Sequence, residues 1–141
     1  MTDLSTTHEF NLILDFALGL AGRGIPLALV SVSSSQPCEG EARETLTDLV
    51  SNATRYTDRI APDGEGGWIA LLIDCNRQGA LLYADRVLDR CAAWQEVNAP
   101  VVCGIAVYRD DLDSRDAILR AAVAARGEAG TGGAPIGIHG E

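Results

Sequence analysis

The sequence predicts an α/β domain in which helices pack on one mixed sheet. Short, nearly continuous apolar runs of strand length alternate with longer segments whose apolar residues recur at helical spacing. Of the 141 residues, 47% are hydrophobic and 22% charged, as expected of one folded domain with its own core. Neither a repeat nor a linker interrupts the pattern. We therefore expect one domain at residues 9–141, preceded by a flexible N-terminus at residues 1–8.

The first half of the chain predicts a helix, a buried strand and a second helix. From Glu9, apolar side chains recur every three or four residues until Gly22 ends the pattern, which indicates an amphipathic helix. Residues 25–33, IPLALVSVS, are almost all apolar and favour a central strand covered on both faces. After the polar link SSQPCEGE, residues 42–56 form an amphipathic segment, which predicts the second helix. Its apolar stripe comprises Leu46, Leu49, Val50 and Ala53.

The second half predicts a β-hairpin, a long helix, another buried strand and a final helix. A short strand at 58–61, the turn PDGEGG and the strand WIALLID are typical of a hairpin. Residues 77–95 have helical spacing with the charges directed outward, and residues 99–109 form a buried strand. Ser114 is the expected N-cap of an alanine-rich helix. We expect a last short edge strand in the tail TGGAPIGIHGE.

These elements contain a β-α-β-β-α-β core, the split βαβ or ferredoxin-like arrangement, with an extra helix at its N-terminus and another at its C-terminus. Many unrelated functions use this arrangement, so the function has to be argued from the residues that the core presents.

Charge and residue types exclude several classes of function. A formal net charge of −9 opposes a nucleic-acid or anionic-membrane surface, and no apolar run approaches the length of a membrane span. All eleven cationic side chains are arginine, so lysine chemistry is excluded. His8 and His139 lie near the termini, which leaves a Ser-His-Asp arrangement without a base. The four separated cysteines and the absence of a signal-peptide pattern indicate a reduced, cytoplasmic protein.

The hairpin region carries the most specific pattern in the sequence. The motif RYTD at 55–58 is followed by the five residues RIAPD and then by GEGGW at 64–68. Upstream lies the strand PLALVSVS, and downstream lie GALLYADRVLDR, VCGIAV and AILRAAVAARGEA. This ordered set resembles the GGDEF domain of the diguanylate cyclases, with APDGEGGWIALL in the place of the family's ARyGGDEFvvlL. The resemblance implies a GGDEF-type fold over nearly the whole chain.

The resemblance also identifies the acidic positions that hold divalent metal in the family. They fall at Ser31 and Ser33 at the end of the first strand, and at Gly66 and Gly67 in the hairpin. Hydroxyl groups and hydrogen atoms do not replace the hard carboxylate ligands on which this metal chemistry depends. We therefore expect a degenerate GGDEF domain with no catalytic residues, no metal site and no cofactor, which is not an enzyme.

A second family site is retained in the residues of the RxxD motif. In the family this motif forms the inhibitory site that binds cyclic di-GMP, with a further arginine from the following helix. The resemblance implies that Arg55, Asp58 and Arg86 form such a site here, with Arg90 in support one turn later on the same face. Arginine presents a fork of donors to phosphate oxygens and guanine acceptors, and a carboxylate accepts from guanine N–H groups.

Two functional interpretations remain open from the sequence. The first is a catalytically inactive signalling module that receives cyclic di-GMP at Arg55 and Asp58. The second is a scaffold that forms a homodimer or docks a protein partner, with Arg55 and Asp58 as a surface ion pair of little energetic value. Binding of GTP without turnover is disfavoured, because the acidic metal positions are lost and the family's guanine-contacting Asn and Asp have no clear counterpart in SSQPCEGEAR, the segment after the first strand.

Overall fold

The computed structural model describes residues 7–55 and 57–140, which form five helices, a 3-10 turn and five strands. The helices are α1 Thr7–Ala21, α2 Gly40–Ala53, α3 Arg77–Arg90, α4 Ala92–Val97 and α5 Arg115–Gly132. The strands are β1 Leu27–Ser34, β2 Arg59–Pro62, β3 Trp68–Ile73, β4 Val101–Val107 and β5 Ile136–Ile138, and the 3-10 turn is Asp110–Leu112. In these residues no helix combines the length and apolarity required to cross a bilayer.

The five strands form one mixed sheet in the order β2-β3-β1-β4-β5. β1 pairs antiparallel with both β3 and β4, β2 with β3, and β5 joins parallel to β4. The first four strands thus have the order expected of a β-α-β-β-α-β core, with β1 and β3 in the middle. The predicted α/β fold class is confirmed, and the tail does supply an edge strand.

Two cores lie on opposite faces of the sheet. Successive side chains of a strand point to opposite faces, so Val30 and Val32 enter the core beneath α2 and α3, whereas Leu27 and Leu29 enter the core beneath α1 and α5. Helices on both faces bury six consecutive residues of β1, which explains why this strand is apolar throughout. Ser31 is the polar exception among these six.

The structure differs from the predicted element boundaries at two places. The helix predicted over 77–95 is divided at Cys91, whose φ of −92° and ψ of 1° end α3 before α4 begins. Helix α1 begins at Thr7, so Thr7 and His8, which we assigned to the flexible N-terminus, are helical. The rest of that predicted segment, residues 1–6, lies outside the described residues.

Helix α5 packs unusually close to the sheet at Gly104 in the middle of β4. A Cβ atom at this position would meet the backbone nitrogen of Arg126 and the carbonyl oxygen of Ala122 at less than any distance that real Cβ atoms show. The glycine therefore sets how near α5 lies to the central strands.

Gly104→Ala should reduce the free energy of unfolding by about 1–3 kcal/mol or more, because the added methyl forces α5 away from β4. Gly127→Ala is the matched control on α5, since nothing lies within 4 Å of its Cβ and alanine favours the helix. Urea denaturation of both variants measures the difference. Equal stability of Gly104→Ala and the wild type would contradict the close packing.

Three of the four thiols are buried, and all four are unpaired. Burial raises the pKa of Cys91 to about 11 and that of Cys103 to about 12, from an ordinary value of 9.0. Both thiols are therefore protonated in the folded protein at pH values at which they ionise in the unfolded chain.

The stability of the protein should fall as the pH rises above about 9 through the folded values of about 11 and 12. The sign follows because the folded state binds more protons than the unfolded state in this range. Cys103→Ala should make the free energy of unfolding less dependent on pH, which urea titrations at pH 8, 9 and 10 would detect. Cys38→Ala is the control, because Cys38 is only half-buried. A stability that is independent of pH in this range would contradict the burial of neutral thiols.

Candidate functional site

Arg55 and Asp58 lie in the connection between α2 and β2. Helix α2 ends at Ala53 because Thr54 leaves the helical conformation, with φ −91° and ψ 129°. The Asp58 backbone N–H donates to the Arg55 carbonyl oxygen at 3.0 Å, which folds the connection into a turn. This turn brings Arg55 Nε to 3.2 Å from Asp58 Oδ2. The two residues of the motif therefore form an ion pair.

The two partners of this ion pair differ strongly in exposure. The Arg55 side chain is 58% exposed, whereas that of Asp58 is 0% exposed. Asp58 Oδ1 has no hydrogen-bond partner in the part of the chain that the structure describes. An unsatisfied buried acceptor costs about 1–3 kcal/mol, and more when it is charged. Asp58 is thus an acceptor that is held in place and lacks one donor.

Arg86 and Arg90 approach the same region from α3. Arg86 Nε donates to the carbonyl oxygen of Ala53 at 2.7 Å, and Arg90 Nη1 donates to that of Asn52 at 3.0 Å. These carbonyls belong to the last turn of α2, where carbonyl oxygens have no N–H partner within the helix and the helix dipole is negative. Two guanidinium groups therefore hold the end of α2 immediately before Arg55.

The Cys75 thiol lies within the electrostatic influence of Arg55, Asp58 and Arg86. Burial raises the pKa of the Cys75 thiol, Asp58 raises it further, and the charges of Arg55 and Arg86 lower it. The Arg86 guanidinium also lies 5.4 Å from the centre of the Tyr83 ring, within the range of a cation–π contact. The structure thus places Arg55 and Asp58 in contact, and Arg86 and Arg90 at the end of α2 that precedes them.

Arg59 directly follows the motif, and the sequence analysis did not single it out. Its Nη1 donates to the backbone carbonyl of Asp58 at 3.0 Å, at the start of an edge strand. We refer to Arg55, Arg86 and Arg90 as the arginine cluster. The cluster adds positive charge locally in a protein whose net charge is −9, which favours an anionic ligand with hydrogen-bond donors for Asp58.

The hairpin tip, residues 63–67, is organised by the carboxylate of Asp63. Asp63 Oδ1 accepts from the backbone N–H groups of Glu65 at 2.7 Å and Gly67 at 2.9 Å. The Asp63 N–H in turn donates to the Gly67 carbonyl oxygen at 3.0 Å. The tip is therefore a turn folded around an inward-facing aspartate.

Two arginines hold the tip from opposite faces of the sheet. Arg126 of α5 donates from Nη1 to Asp63 Oδ2 at 3.0 Å and to Ser31 Oγ at 2.9 Å. Arg43 of α2 donates from Nη1 to the Gly66 carbonyl oxygen at 2.6 Å, and its guanidinium lies 4.8 Å from the centre of the Trp68 ring. None of these contacts was expected from the sequence, because each joins residues far apart in the chain.

The residues at this end of the sheet do not fit a divalent metal. The family's acidic positions hold Ser31 and Ser33 on β1 and Gly66 and Gly67 at the tip. In residues 7–55 and 57–140, no group of three histidine, cysteine or acidic side chains is placed to hold a metal ion. Moreover, a cationic group, the guanidinium of Arg126, already lies within hydrogen-bond distance of Ser31 Oγ. A divalent cation would meet repulsion and too few carboxylates here.

Comparison with known sequences identifies no family: no family model matches the chain, and no curated protein is significantly similar to it. Solved structures do match its fold. The active GGEEF domain of a diguanylate cyclase from Vibrio cholerae has a TM-score of 0.81 at 16% identity, over 99% of both chains. The GGDEF domain of YfiN from Pseudomonas aeruginosa has a TM-score of 0.80 at 19% identity, over 100% of this chain and 99% of that one.

A third match is the GGDEF domain of DgcB from Caulobacter crescentus, solved in complex with c-di-GMP, with a TM-score of 0.75 at 13% identity. It covers 99% of this chain and 94% of the other. These matches overturn one prediction. From the missing acids we predicted that the chain is not an enzyme. This prediction is wrong, because the fold is that of diguanylate cyclase domains, one of them described as active. The chain has the fold of a GGDEF domain.

Proposed function

We propose that this protein binds cyclic di-GMP and acts as a signalling module through Arg55, Asp58, Arg86 and Arg90. The observation that carries the proposal is the buried Asp58 carboxylate, of which one oxygen pairs with Arg55 and the other has no donor among residues 7–55 and 57–140. Guanine offers two N–H groups on one edge, which is the donor pattern that a carboxylate accepts. The same ligand is bound by the DgcB domain, which shares this fold.

The arginine cluster supplies the charge that such a ligand requires. Cyclic di-GMP carries two phosphate groups, and forked guanidinium donors bind phosphate oxygens and guanine acceptors. Arg55 is exposed, and its Nε lies 3.2 Å from Asp58 Oδ2. Arg86 and Arg90 each donate a hydrogen bond to a backbone carbonyl of α2, which holds both guanidinium groups at the end of the helix that precedes Arg55.

Binding requires Arg55 to turn away from Asp58, because the carboxylate is fully buried beneath it. Loss of this donor from a buried carboxylate costs about 1–3 kcal/mol or more, which the ligand has to offset with donors of its own. The released Arg55 then becomes available to the ligand while guanine N–H groups replace it at the carboxylate. We therefore assign Asp58 to the guanine edge and the arginines to the phosphates and guanine acceptors.

A second candidate is a module that associates with itself or with a protein partner. Leu12 and Phe16 lie one turn apart on α1 and are 58% and 68% exposed, which is unusual for large apolar side chains of a monomer. The exposed face of α1 is distant in sequence from the arginine cluster. Self-association through α1 is therefore compatible with ligand binding at the cluster. We keep it as an alternative because it rests on a different surface.

Isothermal titration with cyclic di-GMP should give saturable heat at ligand concentrations of about tens of micromolar. Arg55→Ala should weaken binding about tenfold or more, since a hydrogen bond to a charged group contributes about 1.5–3 kcal/mol. Arg120→Ala is the matched control, because Arg120 is an exposed arginine of α5 with no role in the arginine cluster.

Asp58→Asn extends this experiment, because it preserves the shape of the side chain and replaces one acceptor oxygen by a donor. Its binding should be as weak as that of Arg55→Ala or weaker. Ligand that copurifies or is formed from GTP is measured by chromatography of the denatured sample, so that occupied protein is not mistaken for a non-binder. Unchanged affinity in both variants, or no heat from ligand-free wild type, would refute the proposed site.

If the second candidate holds, sedimentation equilibrium should show a concentration-dependent dimer that Phe16→Glu dissociates, because a charge cannot be buried unpaired in an apolar interface. Leu82→Glu is the matched control, since Leu82 is 63% exposed on α3. A wild type that stays monomeric at high concentration would dismiss self-association through α1.

A further inference from the structure

The surroundings of Arg126 are those of a fixed cation at the end of the central strands. Its side chain is 16% exposed, and that of its partner Asp63 is 5% exposed. Nη1 makes both hydrogen bonds, to Ser31 and to Asp63. Within the described part of the chain, Nε and Nη2 have no hydrogen-bond partner. The guanidinium is therefore anchored at one nitrogen and has donors remaining at the others.

The donors of Arg126 lie beside a cavity at the hairpin tip. This cavity has a volume of about 320 Å³ and is lined by Arg126, by the segment from Ser33 to Glu39, and by Glu65 and Gly66 of the tip. Three successive serines and Gln36 supply neutral polar groups to its wall. The lining can thus surround a small, highly oxygenated group with hydrogen-bond donors.

At Gly67, one of the two glycines of the tip, the surrounding atoms leave no room for an acidic side chain. A Cβ atom on Gly67 would lie 2.6 Å from the Val32 carbonyl oxygen and 2.8 Å from Asp63 Oδ2. Gly66 has a φ of +95°, a conformation that residues with side chains rarely adopt. The shape of the tip therefore depends on glycine at these positions and on the Asp63 carboxylate.

From this geometry we propose that the cavity binds the phosphate oxygens of a ligand directly through Arg126, without a divalent metal. The guanidinium supplies the positive charge for which the resembled motif uses a metal ion. Asp63 balances part of this charge and orients the group, and Ser31 fixes its position. This site is separate from the arginine cluster, and the inference does not depend on the binding of cyclic di-GMP.

Two carboxylates oppose an anion in this cavity, and they determine how strong the site is. Glu39 and Glu65 both line it and are both exposed. Exposed charges are screened by water and salt, whereas the Arg126 guanidinium is largely buried and acts through a less polar medium. The buried Asp63 carboxylate offsets much of the Arg126 charge, so an anion here depends on the remaining guanidinium donors, and removal of a rim carboxylate should strengthen binding.

The test uses inorganic pyrophosphate as the probe, in buffer with EDTA, and follows binding by calorimetry. Wild-type protein should bind pyrophosphate, Arg126→Gln should weaken binding at least tenfold, and Glu65→Gln should strengthen it severalfold. Arg120→Gln on the same helix is the matched control. A nucleoside triphosphate is titrated in parallel, to distinguish recognition of the phosphates alone from recognition of a nucleotide that carries them.

Because Arg126→Gln leaves Asp63 buried without its partner, the double variant Asp63→Asn, Arg126→Gln is made as well, and circular dichroism verifies that each variant folds. The double variant should also lose pyrophosphate binding. Mn²⁺ binding, followed by electron paramagnetic resonance, should be undetectable in wild-type protein at micromolar concentrations.

Binding that requires Mg²⁺ or Mn²⁺, or that is unchanged in a folded Arg126 variant, would overturn the proposal, as would the absence of binding by both probes. Arg55→Ala is titrated with pyrophosphate in parallel, so that any heat that comes from the arginine cluster is measured separately from binding at this cavity. A failure at this cavity is thereby distinguished from a failure of the cyclic di-GMP site.

Discussion

The carboxylate of Asp63 is the constraint on which this end of the molecule depends. One oxygen closes the hairpin turn through two backbone N–H groups, and the other receives the Arg126 guanidinium of a distant helix. A buried ion pair is seldom a large net source of stability, but removal of one partner typically costs about 3–5 kcal/mol. The pair therefore specifies how the hairpin and α5 sit together. Gly104 makes this possible, because only a residue without a side chain lets α5 approach β4 closely enough for Arg126 to reach Ser31.

Helix α2 joins the two candidate sites into one unit. Its last carbonyls are held by Arg86 and Arg90 of the arginine cluster, and its first half reaches the hairpin tip through Arg43. The sites therefore share a rigid element and still differ in chemistry. The arginine cluster lies beside a buried carboxylate with one unpaired oxygen, whereas the cavity at the tip is lined by a guanidinium that is anchored through one nitrogen. The protein as a whole is strongly acidic. Each site is consistent with an anionic ligand only because neighbouring residues hold its arginines in place beside the site.

The sequence predicted what depends on local pattern and missed what depends on long-range pairing. β1 was identifiable because burial on both faces leaves an uninterrupted apolar run, and the RxxD residues were singled out because their position before the hairpin resembles a family motif. The break at Cys91 carries no glycine or proline, so periodicity alone continued the helix to residue 95. Arg126 has no local signal either. It lies 95 residues from Ser31 and 63 from Asp63, and in a helix rich in alanine it looks like any solvated arginine.

The missing acids show why a motif is weaker evidence than the geometry that replaces it. The prediction of inactivity was based on the loss of four acidic side chains, with serine at 31 and glycine at 67 among the replacements. It assumed that the rest of the site is unchanged from that of the resembled family. The structure does not satisfy this assumption, since the tip is folded around Asp63 and the Arg126 guanidinium lies beside Ser31. The end of β1 thus has a cationic group that belongs to the chain itself. The chemistry of this site must therefore be judged from Arg126 and the cavity it lines, together with the acids that the sequence lacks.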